Sequence, residues 1–96
     1  MTSEKRWNKK RGANLPCTYV LRCADGTLYT GWTTNLERRL RAHQSGKASR
    51  YTRARLPVSV VYKQEHATAR GARQQEAAIR RLPRNKKLEL INSSGS

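Results

Sequence analysis

The turn signal Ala24-Asp25-Gly26, set between two runs of β-forming residues, constrains the fold of this chain more than any other feature. The run over residues 17–23 contains Thr, Tyr, Val and Leu, and a second run over residues 27–32 follows the turn. Asp-Gly between two such runs is typical of a β-hairpin. The sequence therefore predicts two antiparallel strands that are neighbours in a sheet.

The length of the loop decides where the two tyrosines of this hairpin, Tyr19 and Tyr29, point. A two-residue Asp-Gly turn would pair Arg22 with Tyr29 and place the two phenols on opposite faces of the sheet. A three-residue loop with Gly26 at positive φ would pair Leu21 with Tyr29 and place both phenols on one face, because a one-residue slip moves every side chain to the other face. The turn residues permit both registers.

Helical and strand patterns alternate after the hairpin. The predicted elements are a helix from about residue 36 to the Ser45-Gly46 pair, a basic loop over 47–56, a strand over 58–62, a helix over about 69–82 and a short helix over 84–91. Thr33-Thr34-Asn35 and Thr68 supply N-caps for the first two helices. The order β-β-α-β-α-α predicts an α/β (α+β) domain, a three-stranded antiparallel sheet flanked by helices.

The chain of 96 residues has room for one domain. We expect a basic disordered tail over residues 1–15, the folded domain over 16–91 and a flexible tail over 92–96. Cys17 and Cys23 are six positions apart on one predicted strand, too far for a disulfide, and are interpreted as reduced core residues of a cytoplasmic protein. The longest apolar run is strand-sized, so the sequence predicts neither a membrane span nor an export signal.

Positive charge dominates the composition. The chain has 21 Lys and Arg against 6 Asp and Glu, a net charge of +15. Seven basic residues lie over 38–55 with no acid among them, and seven more lie over 70–87, where Glu76 is the only acid. Such density predicts a polyanionic partner, most often nucleic acid. An acidic membrane surface, an acidic protein or simple phosphate neutralisation are alternatives that charge alone leaves open.

Three short motifs follow one another along the chain: TYV at 18–20, YTG at 29–31 and NLERRLRAH at 35–43. The pattern continues through HQSGKASRYTRARLPV and an alanine-rich helix with one Glu. This ordered set resembles the GIY-YIG nuclease family, in particular its small single-domain bacterial members, over nearly all of residues 17–91. Cys17-Thr18 stands where that family has Gly-Ile, and Thr30 replaces an Ile. The resemblance favours the three-residue turn and implies a GIY-YIG domain.

The resemblance also implies roles for five residues in phosphodiester hydrolysis. Tyr29 matches the tyrosine that acts as general base or orients the attacking water, and Tyr19 matches the tyrosine that lines the site. Arg39 matches the arginine that stabilises phosphoryl charge, and His43 falls where the family has an assisting His or Tyr. Glu76 matches the single carboxylate that holds one divalent cation, Mg²⁺ or Mn²⁺.

Each of these assignments has a structural alternative. Strand tyrosines usually pack, Arg39 could be a surface cation, and His43 could be a core-edge histidine. A helical carboxylate such as Glu76 normally pairs with a basic neighbour, here Arg73 or Arg80. The metal interpretation of Glu76 is favoured because the residue lies on the helix face that packs, where a carboxylate needs a partner.

A further set of residues is predicted to contact nucleic acid. The basic loop with an interleaved aromatic suits a phosphate backbone, and a solvated run of charge is the equal alternative. Trp32 either packs or stacks on a base, and Lys87 falls nearest to an asparagine that supports the site in some GIY-YIG proteins. The predicted nucleic-acid-binding residues are Trp32, Lys47, Arg50, Tyr51, Arg53, Arg55 and Lys87.

These features predict a metal-dependent endonuclease or nickase that hydrolyses phosphodiester bonds in DNA. One alternative is a nucleic-acid-binding module with weak or no cleavage, and another is an accessory subunit of a DNA-processing complex whose partner supplies substrate choice. Branched or single-stranded DNA, RNA and a protein partner stay open, and no membrane partner is predicted.

Overall fold

The computed structural model describes residues 15–95, with side chains over residues 15–93. The strands are β1 (Cys17–Arg22), β2 (Leu28–Thr33) and β3 (Ser59–Glu65), and the helices are α1 (Leu36–Gln44), α2 (Arg50–Arg53), α3 (Ala69–Arg80) and α4 (Arg84–Gly95). The three strands form an antiparallel sheet in the order β2-β1-β3. The predicted α+β architecture is confirmed.

The hairpin adopts the register that places both tyrosines on one face. The N–H of Gly26 donates to the carbonyl of Cys23 at 2.9 Å, and Gly26 has a φ of +86°, which closes a three-residue loop. Leu21 pairs with Tyr29. Because side chains alternate along a strand, Tyr29 therefore lies on the same face as Tyr19.

The sheet separates two hydrophobic clusters. One is built on Cys17, Tyr19, Leu21, Cys23, Leu36 and Val58, and we call this side of the sheet the α1 face. The other is built on Val20, Tyr62, Ile79 and Ile91, and we call this side the α3 face. The central strand β1 supplies alternate side chains to both clusters, so it is buried on both sides. Cys17 and Cys23 are buried free thiols, as predicted.

Side-chain caps fix where the two longer internal helices begin. Asn35 caps α1 and accepts a hydrogen bond from the N–H of Arg38 at 3.1 Å. Thr68 caps α3 and accepts from the N–H of Gly71 at 3.0 Å. Both caps satisfy N–H groups that have no partner inside the helix, and both were predicted from the sequence.

Three elements differ from the sequence-based prediction. The predicted basic loop contains the single-turn helix α2, capped by Ser49, whose hydroxyl accepts from the N–H of Tyr51 at 3.1 Å. Strand β3 continues to Glu65, because it pairs with β1 as far as Cys17 even though its last residues are polar. Helix α4 continues to Gly95, beyond the predicted end of the domain. The predicted N-terminal tail, apart from residue 15, lies outside the described residues.

None of the helices over residues 15–95 combines the length and the apolar character that a membrane span requires.

Candidate active site

A buried hydrogen bond between Tyr19 and His43 is the centre of the candidate site. The Tyr19 hydroxyl oxygen lies 3.0 Å from His43 Nε2, and both residues are only 1% exposed. Tyr19 comes from β1, and His43 comes from α1, four residues after Arg39. The Tyr29 ring meets the imidazole edge-on, with ring centroids 5.2 Å apart. Three of the predicted catalytic side chains are therefore in direct contact.

Gly31, the last residue of the YTG motif, allows this arrangement. Gly31 is paired with Tyr19 across the hairpin, and the phenol lies over the glycine backbone. A Cβ added at position 31 would be 2.6 Å from the Tyr19 hydroxyl oxygen. A side chain at this position would therefore displace the phenol from His43.

Burial and nearby charges shift the pKa values of the two buried polar side chains, Tyr19 and His43. Burial raises the pKa of Tyr19 and the nearby Tyr29 phenol raises it further, whereas the charge of the Arg39 guanidinium and its hydrogen bond to the phenol act in the opposite direction. Burial also lowers the pKa of His43, and the positive charge of Arg39 lowers it further. At neutral pH the site therefore holds a protonated phenol beside a neutral imidazole. Arg39 belongs to the same electrostatic unit.

Sequence analysis missed one residue of this cluster, Thr52. Its hydroxyl lies 2.8 Å from His43 Nδ1, and the side chain is fully buried at 0% exposure. Ser49, an N-cap type of residue before Arg-Tyr-Thr-Arg, is the one signal of a helical turn here. The contact with a histidine nine positions earlier depends on the tertiary fold, so the local pattern could not predict it.

Tyr51 and Arg55 use their side chains for contacts within the protein. The Tyr51 ring stacks on Tyr29 with centroids 6.0 Å apart, and the Arg55 guanidinium lies 3.9 Å from the centre of the Tyr51 ring. Arg55 also forms an ion pair with Asp25 at 3.0 Å. These contacts connect the hairpin turn to α2 and hold the Tyr29 ring in place.

The other predicted nucleic-acid contacts are distributed over the molecule. Lys47, Arg50 and Arg53 are exposed at or beside α2. Lys87 is half-buried in α4. Trp32 is half-buried on the α3 face, where the Arg73 guanidinium lies 5.9 Å from its ring centre. The α2 residues thus lie beside the Tyr19–His43 cluster, whereas Trp32 lies on the other side of the sheet.

Glu76 lies apart from the cluster, because α3 packs on the opposite face of the sheet. Its carboxylate is 16% exposed and accepts a hydrogen bond from Arg80 Nη1 at 2.9 Å. The ion pair considered as an alternative for this residue is therefore present. Over residues 15–93, no hydrogen bond, ion pair or ring contact joins Glu76 to Tyr19 or His43.

One carboxylate can still serve a divalent cation. Mg²⁺ keeps several waters and is commonly held by one or two carboxylates together with substrate phosphates. Within the described part of the chain, no three side chains of His, Cys, Asp or Glu come together as a ready-made metal cage. The largely buried Glu76 carboxylate, whose partner Arg80 is 63% exposed and can turn away, fits a one-carboxylate site that the substrate completes.

This chain is similar to known proteins over most of its length. Residues 15–89 match the model of the GIY-YIG catalytic domain. The UPF0213 protein of Streptococcus sanguinis (strain SK36) is 49% identical over 78 residues, which cover 81% of this chain and 90% of that protein. The UPF0213 protein CPE1444 of Clostridium perfringens is 49% identical over 75 residues, which cover 78% and 81%.

Solved structures give the same result. The solution NMR structure of the UPF0213 protein BH0048 from Bacillus halodurans is similar with a TM-score of 0.57 and 37% identity, covering 84% of this chain and 86% of that one. The solution NMR structure of protein EF2693 from E. faecalis also gives a TM-score of 0.57 and 37% identity, covering 85% and 91%. The chain therefore belongs to the GIY-YIG family, a nuclease-type family.

Proposed function

We propose that this protein is a divalent-metal-dependent endonuclease or nickase that hydrolyses phosphodiester bonds in DNA. The observation that carries the proposal is the buried Tyr19–His43 hydrogen bond, which lies against Tyr29 and under the charge of Arg39. Hydrolysis requires a group that orients or deprotonates water, and positive charge on the phosphoryl oxygens. The cluster contains side chains suited to both tasks.

Tyr29 is the group we assign to the attacking water. Tyr29 is half-buried, so solvent reaches its side chain, whereas Tyr19 is 1% exposed. Burial and the nearby Tyr29 phenol both raise the pKa of Tyr19, so Tyr19 holds its proton. The phenol that faces water is therefore better able to orient or deprotonate a nucleophile. Tyr19 and His43 hold the adjacent surface in place.

Arg39 is the group we assign to the phosphoryl oxygens. Its residue is exposed, and its guanidinium acts on both Tyr19 and His43. A guanidinium is always charged and can bind two phosphate oxygens at once. A phosphate in contact with Arg39 would therefore lie next to the phenols.

Glu76 is the residue that we propose holds Mg²⁺ or Mn²⁺. A bound cation supplies charge neutralisation at the phosphate and at the leaving oxygen. Strand β2 is an edge strand, and α3 packs against β2 as well as β1. A nucleic acid strand crossing this edge could contact residues on both faces of the sheet, which is how one substrate would reach Tyr29 and Glu76.

The exposed basic residues of the α2 region are the DNA contacts that we propose. Arg50 and Arg53 are exposed on a helix whose buried residue Thr52 contacts His43, and Lys47 precedes them. These charges therefore border the cluster. We expect DNA affinity to fall steeply with salt, since each neutralised phosphate adds about 0.9 to the slope of log K against log salt.

Nicking of supercoiled plasmid with Mg²⁺, with Mn²⁺ and with chelator tests the proposal. Tyr29→Phe and Glu76→Gln should abolish nicking while DNA binding is retained. Tyr62→Phe is the matched control for a lost phenol, because the Tyr62 hydroxyl bonds Gln64 away from the cluster. Glu89→Gln, which removes a surface ion pair with Lys86, is the matched control for a lost carboxylate.

A nucleic-acid-binding module is the second candidate, and the Glu76–Arg80 ion pair favours it. In that case the carboxylate would be part of a structural pair and would hold no metal. Wild type and Glu76→Gln would then be equally inert with either metal, while both bind DNA with a steep salt dependence. That result would replace the nuclease proposal with the binding module.

A further inference from the structure

We propose that Thr52 is a positioning residue: its hydroxyl fixes the tautomer of His43, so that Nδ1 carries the hydrogen and Nε2 presents a lone pair to the Tyr19 hydroxyl. The catalytic consequence rests on the proposed function above. The tautomer itself does not, and it can be measured on protein that has no substrate.

The contacts of Thr52 determine which atom donates. The Thr52 hydroxyl oxygen lies 3.3 Å from the Ser49 carbonyl and 2.8 Å from His43 Nδ1. The hydroxyl has one hydrogen and the carbonyl oxygen can only accept, so both hydrogen bonds form together only when the hydroxyl donates to Ser49 and accepts from His43. Nδ1 must then be the protonated nitrogen of the neutral ring.

The contacts of Tyr19 lead independently to the same tautomer. The Tyr19 hydroxyl is a buried donor, and the positive charge of Arg39 acts on its oxygen. The phenol hydrogen then needs an acceptor, and His43 Nε2 lies 3.0 Å from the phenol oxygen. With the other tautomer, Nε2–H would donate to the phenol oxygen, and the buried phenol hydrogen would lose its acceptor. The contacts at Nδ1 and at Nε2 therefore indicate the same tautomer, with the hydrogen on Nδ1.

The result is a directed chain of hydrogen bonds from Tyr19 through His43 and Thr52 to the Ser49 carbonyl. In this chain His43 Nε2 accepts the hydrogen of the Tyr19 hydroxyl, so the phenol stays protonated and is held in one orientation beside Tyr29. Without the Thr52 hydroxyl, the imidazole can adopt the tautomer with its hydrogen on Nε2. The Tyr19 hydroxyl then has no acceptor.

His66 provides an internal reference on the other face of the sheet. Its Nε2 lies 3.1 Å from the Thr18 hydroxyl oxygen, and that hydroxyl donates to the Ala72 carbonyl at 2.9 Å. His66 should therefore be protonated on Nε2, the opposite nitrogen from His43. The two histidines of the chain are thus expected in opposite tautomers.

Long-range ¹H–¹⁵N NMR of the full chain measures both tautomers. In wild type, Nδ1 of His43 should have the shift of a protonated nitrogen, and Nε2 that of an unprotonated one. Thr52→Val, which keeps the shape but removes the hydroxyl, should change His43 only. Thr52→Ser, which keeps the hydroxyl, should preserve the wild-type pattern. A wild-type His43 protonated on Nε2 would overturn the proposal, and this test requires no variant to fold.

Nicking assays test the catalytic consequence. Thr52→Val should reduce the nicking rate by about ten- to a hundredfold, as losses of supporting hydrogen bonds often do, with DNA binding unchanged, and Thr52→Ser should restore most of it. Equal rates for Thr52→Val and wild type would overturn the positioning role. If wild type has the expected tautomer but cuts no substrate, the proposed function fails while the assignment of the His43 tautomer to Thr52 stands.

Discussion

Each face of the sheet has a histidine bonded to a threonine, but the two pairs end differently. On the α1 face, His43 links Thr52 to the Tyr19 phenol, contacts the Tyr29 ring edge-on and lies under the charge of Arg39. On the α3 face, His66 bonds Thr18, whose hydroxyl is tied to the backbone of α3. The His43–Thr52 pair is hydrogen-bonded to a titratable side chain, Tyr19, whereas the His66–Thr18 pair is hydrogen-bonded to a backbone carbonyl. This difference suggests chemistry on one face and attachment of a helix on the other.

The surroundings of the two faces support this distinction. The core of the α3 face consists of Val20, Ile79 and Ile91, which are nearly inaccessible, together with Tyr62. The α1 face buries a phenol and an imidazole at 1% exposure, and their polar atoms require hydrogen bonds to be buried without a penalty. Buried polar groups with shifted pKa values cluster at functional sites more often than in ordinary cores. We therefore expect substitutions on the two faces to separate activity from stability.

Replacement of the two histidines should give the largest contrast. His43→Ala removes the acceptor of the Tyr19 hydroxyl and the ring that Tyr29 contacts, and we expect nicking to fall by about 10²-fold because the phenols lose their positions. His66→Ala should leave nicking within a fewfold of wild type. Initial nicking rates, corrected for the folded fraction by circular dichroism, measure both. Equal losses in the two variants would remove the distinction between the faces.

A core truncation on the α3 face should give the opposite pattern. Ile91→Ala leaves a cavity in the hydrophobic cluster and should lower the free energy of unfolding by about 2–5 kcal/mol, as measured by urea titration. Because Ile91 is remote from the phenols, the nicking rate per folded molecule should be retained. A loss of nicking larger than the loss of folded protein would contradict the separation of the two faces.

The hairpin could be predicted from its local residues, but the turn residues permit two registers, and only the resemblance to GIY-YIG proteins favoured the three-residue loop that the structure shows. The Ala-Asp-Gly turn admits few geometries, and Gly26 takes the positive φ that the three-residue loop requires. The sequence could not predict α2, since one capped turn inside a basic segment carries little periodicity. For Glu76 the sequence favoured a metal and left the ion pair as the alternative; the structure shows the ion pair with Arg80, because an i, i+4 pair can form at the same helix position.

Two glycines allow a sharper test with a smaller expected effect. Gly31→Ala would push a methyl group against the Tyr19 hydroxyl, so we expect a loss of about 1–3 kcal/mol of stability together with reduced nicking. Gly71→Ala on the other face meets side-chain atoms only at 3.5 Å, and it should raise stability by up to about 1 kcal/mol through helix propensity. Thermal unfolding and nicking of the two variants measure this. Wild-type nicking by Gly31→Ala would contradict the close approach of Tyr19.

The smallest expected effect is on the pH dependence of stability. The pKa of His43 is lowered in the folded state, whereas the unfolded chain titrates near the ordinary value of 6.5. Below about pH 6.5 the unfolded state therefore binds more protons, and stability falls as the pH drops toward the folded-state pKa. Urea titrations at pH 7 and pH 5 should show this loss in wild type and a smaller loss in His43→Gln. An unchanged difference between the two pH values would assign the effect to other groups.

The measurement that tests the central claim most directly is nicking of supercoiled plasmid in Mg²⁺ by wild type, Tyr29→Phe and Tyr62→Phe. We expect wild type and Tyr62→Phe to nick the plasmid at similar rates, Tyr29→Phe not to nick it, and chelator to stop all nicking. Nicking by Tyr29→Phe at the wild-type rate, or nicking that persists in chelator, would contradict a metal-dependent site built on the paired phenols.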